Sequence, residues 1–216
     1  MTRFFIFIGL LLCLTTLATA QTSRNEIGVI LGPTLTNLHF NDSDLEYDTR
    51  ISALVGLKYR YIATQKLSLT FAPSFERKGF KLTSIQTDDI GTEIGEWTDY
   101  WDYDYLIFPI SARYELGDFY VSGGGYYGYL VRQHINIGLE SLEGVIPDSY
   151  IEYYSRSDAG VSASAGFRVA LGTNWFLDTE VKYSHGLANI FDRTSNADPN
   201  VNTRSTALIF GLIRQL

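Results

Sequence analysis

The feature that most constrains this chain is alternation. In residues 161–171, Val161, Ala163, Ala165, Phe167, Val169 and Leu171 fall on one face, and Ser162, Ser164, Gly166, Arg168 and Ala170 on the other. Period two sustained over eleven residues is the pattern of a strand whose faces see different surroundings. The same pattern recurs. In 175–187, Leu177, Thr179, Val181 and Tyr183 oppose Phe176, Asp178, Glu180, Lys182 and Ser184. In 49–62, Ile51, Ala53, Val55, Leu57, Tyr59 and Tyr61 oppose Ser52, Leu54, Gly56, Lys58 and Arg60. Eight such strands are predicted, near 26–37, 49–62, 66–80, 100–114, 118–132, 158–171, 175–187 and 203–216.

The connections carry a second signal. Short turns around 62–66, 115–118 and 172–174 alternate strictly with long connections at 38–48, 81–99, 133–157 and 188–202. Most of the acidic residues lie in the long connections or at their margins, so the formal charge of −7 belongs mainly to one rim. An acidic chain does not supply the basic patch that a nucleic-acid surface needs. Fifteen Tyr, 13 Phe and 19 Gly suit strands and aromatic girdles.

The first twenty residues read as a signal peptide. Arg3 supplies the positive region, residues 4–14 the apolar stretch, and Ala18-Thr19-Ala20 a small-residue cleavage site. Cys13 would be the acylated residue of a lipoprotein, but Leu12 before it is too bulky. Cleavage after Ala20 removes Cys13 and leaves 21–216 without cysteine, so no disulfide or thiolate chemistry is available. Beyond residue 20 no apolar run approaches the ~18 residues of a membrane-spanning helix. Export, an even number of alternating strands, and short turns opposite long connections together predict an all-β protein. The expected fold is an eight-stranded antiparallel up-and-down transmembrane β-barrel in the outer membrane. Its long connections would face outward and both ends the periplasm.

Four segments carry a resemblance in the expected order. These are IGVILGPTLTNL (27–38), SLTFAPSFERKG (68–79) with its Lys78-Gly79 close, DYLIFPISARYEL (104–116) and YSHGLANIF (183–191). In the third, Tyr105, Leu106, Pro109, Arg113 and Tyr114 stand in the characteristic places. They resemble the PorT-like outer-membrane β-barrel proteins of Bacteroidetes, whose barrel is of the OmpA/OmpX kind. The chain departs from that pattern at Ile107 and Ala72, where the family often has Glu, and ends in Leu216 rather than Phe. The resemblance implies an outer-membrane location in contact with lipid. It also implies a role as surface scaffold or accessory to a secretion or envelope-assembly complex, without a cofactor.

Candidate chemistry is sparse. His185 could serve a lipid hydrolase only with a Ser on its own face, but Ser184 is adjacent and therefore opposite, and the next position on its face is Leu187. NDSDLEYD (41–48) spaces carboxylates like a calcium loop but, with Asp42 as position one, lacks the Gly and Glu at positions six and twelve. DYWDYDY (99–105) reads as part of an interfacial girdle. GGGYYGY (123–129) lacks the Lys-Ser/Thr of a phosphate loop and reads as glycines on a curved wall opposite bulky Tyr. Lys58, Arg60, Glu76, Arg113, Arg132, Arg168, Asp178, Glu180 and Lys182 are expected to point inward and pair as a structural network. In the register that keeps both polar faces together, Arg168 meets Asp178, with Glu180 on the diagonal. Metal-binding, catalytic and cofactor-binding residues are not expected. A lipocalin-like secreted barrel binding a small apolar ligand would also alternate. It would reverse the faces, putting apolar residues inside and charges outside.

Overall fold

The structure, a computed structural model, describes residues 25–40, 48–87, 90–91, 93–136, 155–189 and 201–216. The expected signal peptide and the acidic NDSDLEY segment lie outside them. The described residues form nine strands: β1 (Asn25–Phe40), β2 (Asp48–Ile62), β3 (Leu67–Phe71), β4 (Ser74–Thr87), β5 (Glu93–Leu116), β6 (Phe119–Asn136), β7 (Ser157–Ala170), β8 (Trp175–Gly186) and β9 (Val201–Gln215). Every pairing is antiparallel, and β1 pairs with both β2 and β9, which closes the sheet into a ring. β3 and β4 both lie between β2 and β5. The ring therefore has eight wall positions and is an up-and-down barrel.

The third wall strand is interrupted where Pro73 cannot donate to a ladder. The break is sewn from both sides: the Leu57 amide donates to the Pro73 carbonyl at 2.9 Å, and the Ala72 amide to that of Pro109 at 3.3 Å. The short turns behave as local chemistry dictates. Gly117 takes φ +79°, the left-handed region glycine occupies freely, in the two-residue link from β5 to β6. Thr64 Oγ1 accepts from the Lys66 and Leu67 amides at 3.3 and 3.0 Å in the link from β2 to β3.

Two sequence expectations need correction. The connection expected over 81–99 is mostly strand: β4 runs to Thr87 and β5 begins at Glu93. Leu82 through Thr87 pair with Asp99 back to Glu93. β2 meets β4 no further than Lys81, and β6 meets β5 no further than Tyr100. The two strands thus rise past their described neighbours as a free ribbon. Composition hid this, because its turn-forming and charged residues resemble those of a loop.

The second correction concerns DYWDYDY. Tyr103 and Tyr105 are buried inside the barrel and Trp101 stacks on Phe80 at 5.7 Å, leaving Tyr100 on the outside. Leu106 and Phe108 hold the lipid-side parity of β5, so the odd-numbered aromatics must point in. These rings join Phe80, Ile107, Tyr126, Leu130 and Val201 in a plug at the long-connection end of the lumen. A smaller apolar layer of Ile30, Leu54, Ala207 and Ile209 lies deeper.

The outer face is apolar. Leu31 (57%), Val55 (57%) and Phe119 (65%) are among many large hydrophobic side chains exposed there. Charges inside and hydrocarbon outside is the arrangement that lipid favours, and the reverse of a soluble barrel holding an apolar ligand.

Candidate functional site: the charged lumen

An eight-stranded barrel has an interior just wide enough for side chains to fill. Here six cations (Lys58, Arg60, Lys78, Arg113, Arg168, Lys182) meet six carboxylates (Glu26, Glu76, Glu115, Asp158, Asp178, Glu180). Their charges cancel.

The densest part lies toward the short turns. Asp178 Oδ1 accepts from Arg168 Nε at 2.6 Å. Its Oδ2 accepts from Arg113 at 2.9 Å, from the second Arg168 nitrogen at 3.1 Å and from Lys58 at 3.4 Å. Glu26 joins Arg60 and Arg168 at 2.7 and 2.9 Å, and Glu115 joins Arg60 and Arg113. Glu180, expected beside Arg168, bonds instead to Lys58 at 2.8 Å and Tyr120 at 3.2 Å. The Arg113 guanidinium lies 3.3 Å from the centre of the Tyr120 ring. A second knot lies toward the plug. Lys78 reaches Asp158 at 2.8 Å, Thr203 donates to the same carboxylate at 2.9 Å, and the Lys78 ammonium sits 4.7 Å from the Tyr126 ring centre. Between the knots Lys182 stands 3.9 Å from Glu76. Burying a charge is costly unless partners satisfy it, and these groups are interlocked accordingly.

Glycines make room for the two inward tyrosines. Gly166 faces Tyr120 and Gly160 faces Tyr126 across the β6–β7 ladder. A Cβ at Gly166 would lie 2.5 Å from the Tyr120 ring, and one at Gly160 2.7 Å from that of Tyr126. Among the described residues Lys58, Thr70, Ser111, Arg113 and Tyr120 border a cavity of about 40 Å³, room for a few waters.

The structure brings eight of the nine proposed lumen residues into this network: Lys58, Arg60, Glu76, Arg113, Arg168, Asp178, Glu180 and Lys182. Arg132 is the exception and lies on the outer surface. Asp104 pairs with Arg132 while Tyr105 pairs with Leu130, so Val131 is an extra residue and the strand reverses its faces beyond it. Alternation carried past an unseen bulge assigns the wrong side. Sequence reasoning also missed Glu26, Glu115, Lys78 and Asp158. The parity of β1 and β5 places Glu26 and Glu115 inside, but Asp158 reads as a rim acid until its register with Gly128 is known. His185 lies on the outer face in register with Arg204, whereas Ser184 is buried within.

Solved structures similar to this one include outer-membrane barrels, at identities that speak to fold alone. Ail of Yersinia pestis, in complex with the heparin analogue sucrose octasulfate, is 15% identical at a TM-score of 0.43, covering 88% of this chain and 98% of its own. OprG of Pseudomonas aeruginosa is 12% identical at 0.48, covering 90% and 96%. The Escherichia coli outer membrane protein W is 12% identical at 0.40, covering 91% and 100%. No curated protein matches the chain. Residues 19–192, by contrast, match the family model described as an outer membrane protein beta-barrel domain. The chain belongs to that family, and its place is the outer membrane.

Proposed function

We propose that this protein is a non-enzymatic surface scaffold, of the PorT-like kind, that serves as accessory to a secretion or envelope-assembly complex. The observation that carries the reading is the ribbon formed by residues 82–87 and 93–99, which runs past its described neighbouring strands. Among the described residues compensated charge fills the lumen and aromatics cap it, which favours work at the rim over passage of a solute. Exposed strand edges on a projecting ribbon are a natural site for pairing with another chain. In this reading the long-connection rim faces outward, both ends face the periplasm, and the leader is cleaved after Ala20. The test replaces residues 83–98 with a two-residue Asn-Gly turn. The shortened barrel should stay folded in detergent but lose the proteins that co-purify with the full chain from solubilised envelopes. Retention of the same partners by the shortened barrel would refute the reading.

A further inference from the structure

The outer wall changes character abruptly above the row Phe75, Leu106 and Tyr129. The next outward row is Arg77, Asp104 and Arg132, and beyond it come Asp102 and His134. Both aspartates are already taken. Arg77 binds Asp104 through two nitrogens at 2.6 and 3.1 Å, and Arg50 binds Asp102 at 3.0 and 3.3 Å. Among the described residues Arg132 makes no ion pair, and Arg156 only donates to the Tyr129 hydroxyl at 3.4 Å. Two guanidiniums, Arg132 on β6 and Arg156 at the entry to β7 where its carbonyl accepts from the Leu130 amide, thus stand without a carboxylate among the described residues at the upper edge of the apolar wall. A cation facing hydrocarbon is costly, and it is relieved where an anion of the lipid itself meets it.

Directly beneath runs a shallow groove between Phe108, Ile110, Tyr127, Ala159 and Leu187, floored by Gly125. Tyr127 and Ala159 are paired; Tyr127 lies two outward rows below Arg132, roughly 14 Å along the strand, and Ala159 three residues from Arg156, roughly 10 Å, at the usual rise per residue. We propose that Arg132 and Arg156 with this groove bind one phosphate-bearing membrane lipid. The phosphate lies between the two guanidiniums, whose planar forks suit its oxygens, and one acyl chain lies in the groove. The site depends on the membrane location and is independent of the partner role of the ribbon.

The test uses the full protein refolded into phosphatidylcholine vesicles, with lipid association read by electron paramagnetic resonance. Spin-labelled phosphatidic acid should be held roughly fivefold or more over spin-labelled phosphatidylcholine, about the preference one arginine near a membrane surface confers. Arg132→Gln with Arg156→Gln should bring the ratio close to one, while Arg214→Gln at the opposite rim should leave it unchanged. Gly125→Leu should lower it as well. A Cβ there meets nothing nearer than the Gly160 carbonyl at 3.5 Å, so this variant is expected to fold. Heat-dependent gel migration verifies each fold. Equal association of the two lipids with the unsubstituted protein overturns the proposal, as does a preference indifferent to both arginines. If inorganic phosphate abolishes the preference while Gly125→Leu leaves it intact, the site takes a free anion and the lipid assignment is wrong.

Discussion

Asp178 gathers three cations from three other strands: Arg168 on β7, Arg113 on β5 and Lys58 on β2. Removing the carboxylate leaves three positive charges facing one another, whereas removing Arg168 leaves Asp178 with two partners. Asp178→Asn should therefore cost about 3–5 kcal/mol, the range for breaking a buried pair, and Arg168→Met distinctly less. Urea unfolding in detergent, followed by gel migration, compares them. Equal losses would mean that Arg168 alone sustains Asp178. At Gly166 the issue is space rather than charge. A methyl group there meets both the Tyr120 ring and the Thr179 carbonyl at 2.5 Å. Gly166→Ala should cost roughly 1–3 kcal/mol, the usual range for overpacking, in the same assay. An unchanged midpoint would show that Tyr120 has room to move.

Strands differ in how openly they declare themselves. β7 and β8 were legible because nothing interrupts their alternation, and the register Arg168 to Asp178 and Ser164 to Lys182 followed from keeping polar faces together. β6 misled at Arg132 because a bulge adds one residue without any proline or glycine to mark it. The ribbon resembles a loop in sequence because its charged and turn-forming residues show no period of two. The network around Asp178 was legible in part, since parity says which charges enter a lumen but not which meet across it. Glu180 bonding to Lys58 rather than Arg168 is a fact of barrel closure, not of one hairpin. The outward face of β8 yields a test at this scale. Val181 is half-exposed midway between Trp175 and His185, so Val181→Arg should destabilise the inserted barrel by about 2–4 kcal/mol. Equilibrium unfolding from lipid vesicles measures it, and a neutral result would mean that β8 does not face lipid. Epitope tags at Gly91 should be reached by antibody on intact cells, and tags at Gly117 or Thr173 should not. The opposite pattern would invert the rims.

Among the described residues the lumen is filled along its length. Opposed charges fill it from Glu26 to Asp158, and the ring of aromatics around Tyr103 caps it. Reconstituted in planar bilayers, the protein should show no discrete conductance steps, and steps would mean that the plug moves. In cells it should resist carbonate washing and migrate differently on gels with and without boiling. Recovery in the soluble periplasmic fraction would contradict membrane residence. A barrel of eight antiparallel strands suggests an object alike from every side, but this one is not. The ribbon rises from β4 and β5, and the uncompensated arginines sit on β6 and the entry to β7. β1, β8 and β9 close the far side of the ring. The molecule therefore has a front and a back within the plane of the membrane as well as a top and a bottom across it. A neighbour diffusing in two dimensions would find the ribbon and the arginines along one half of the wall.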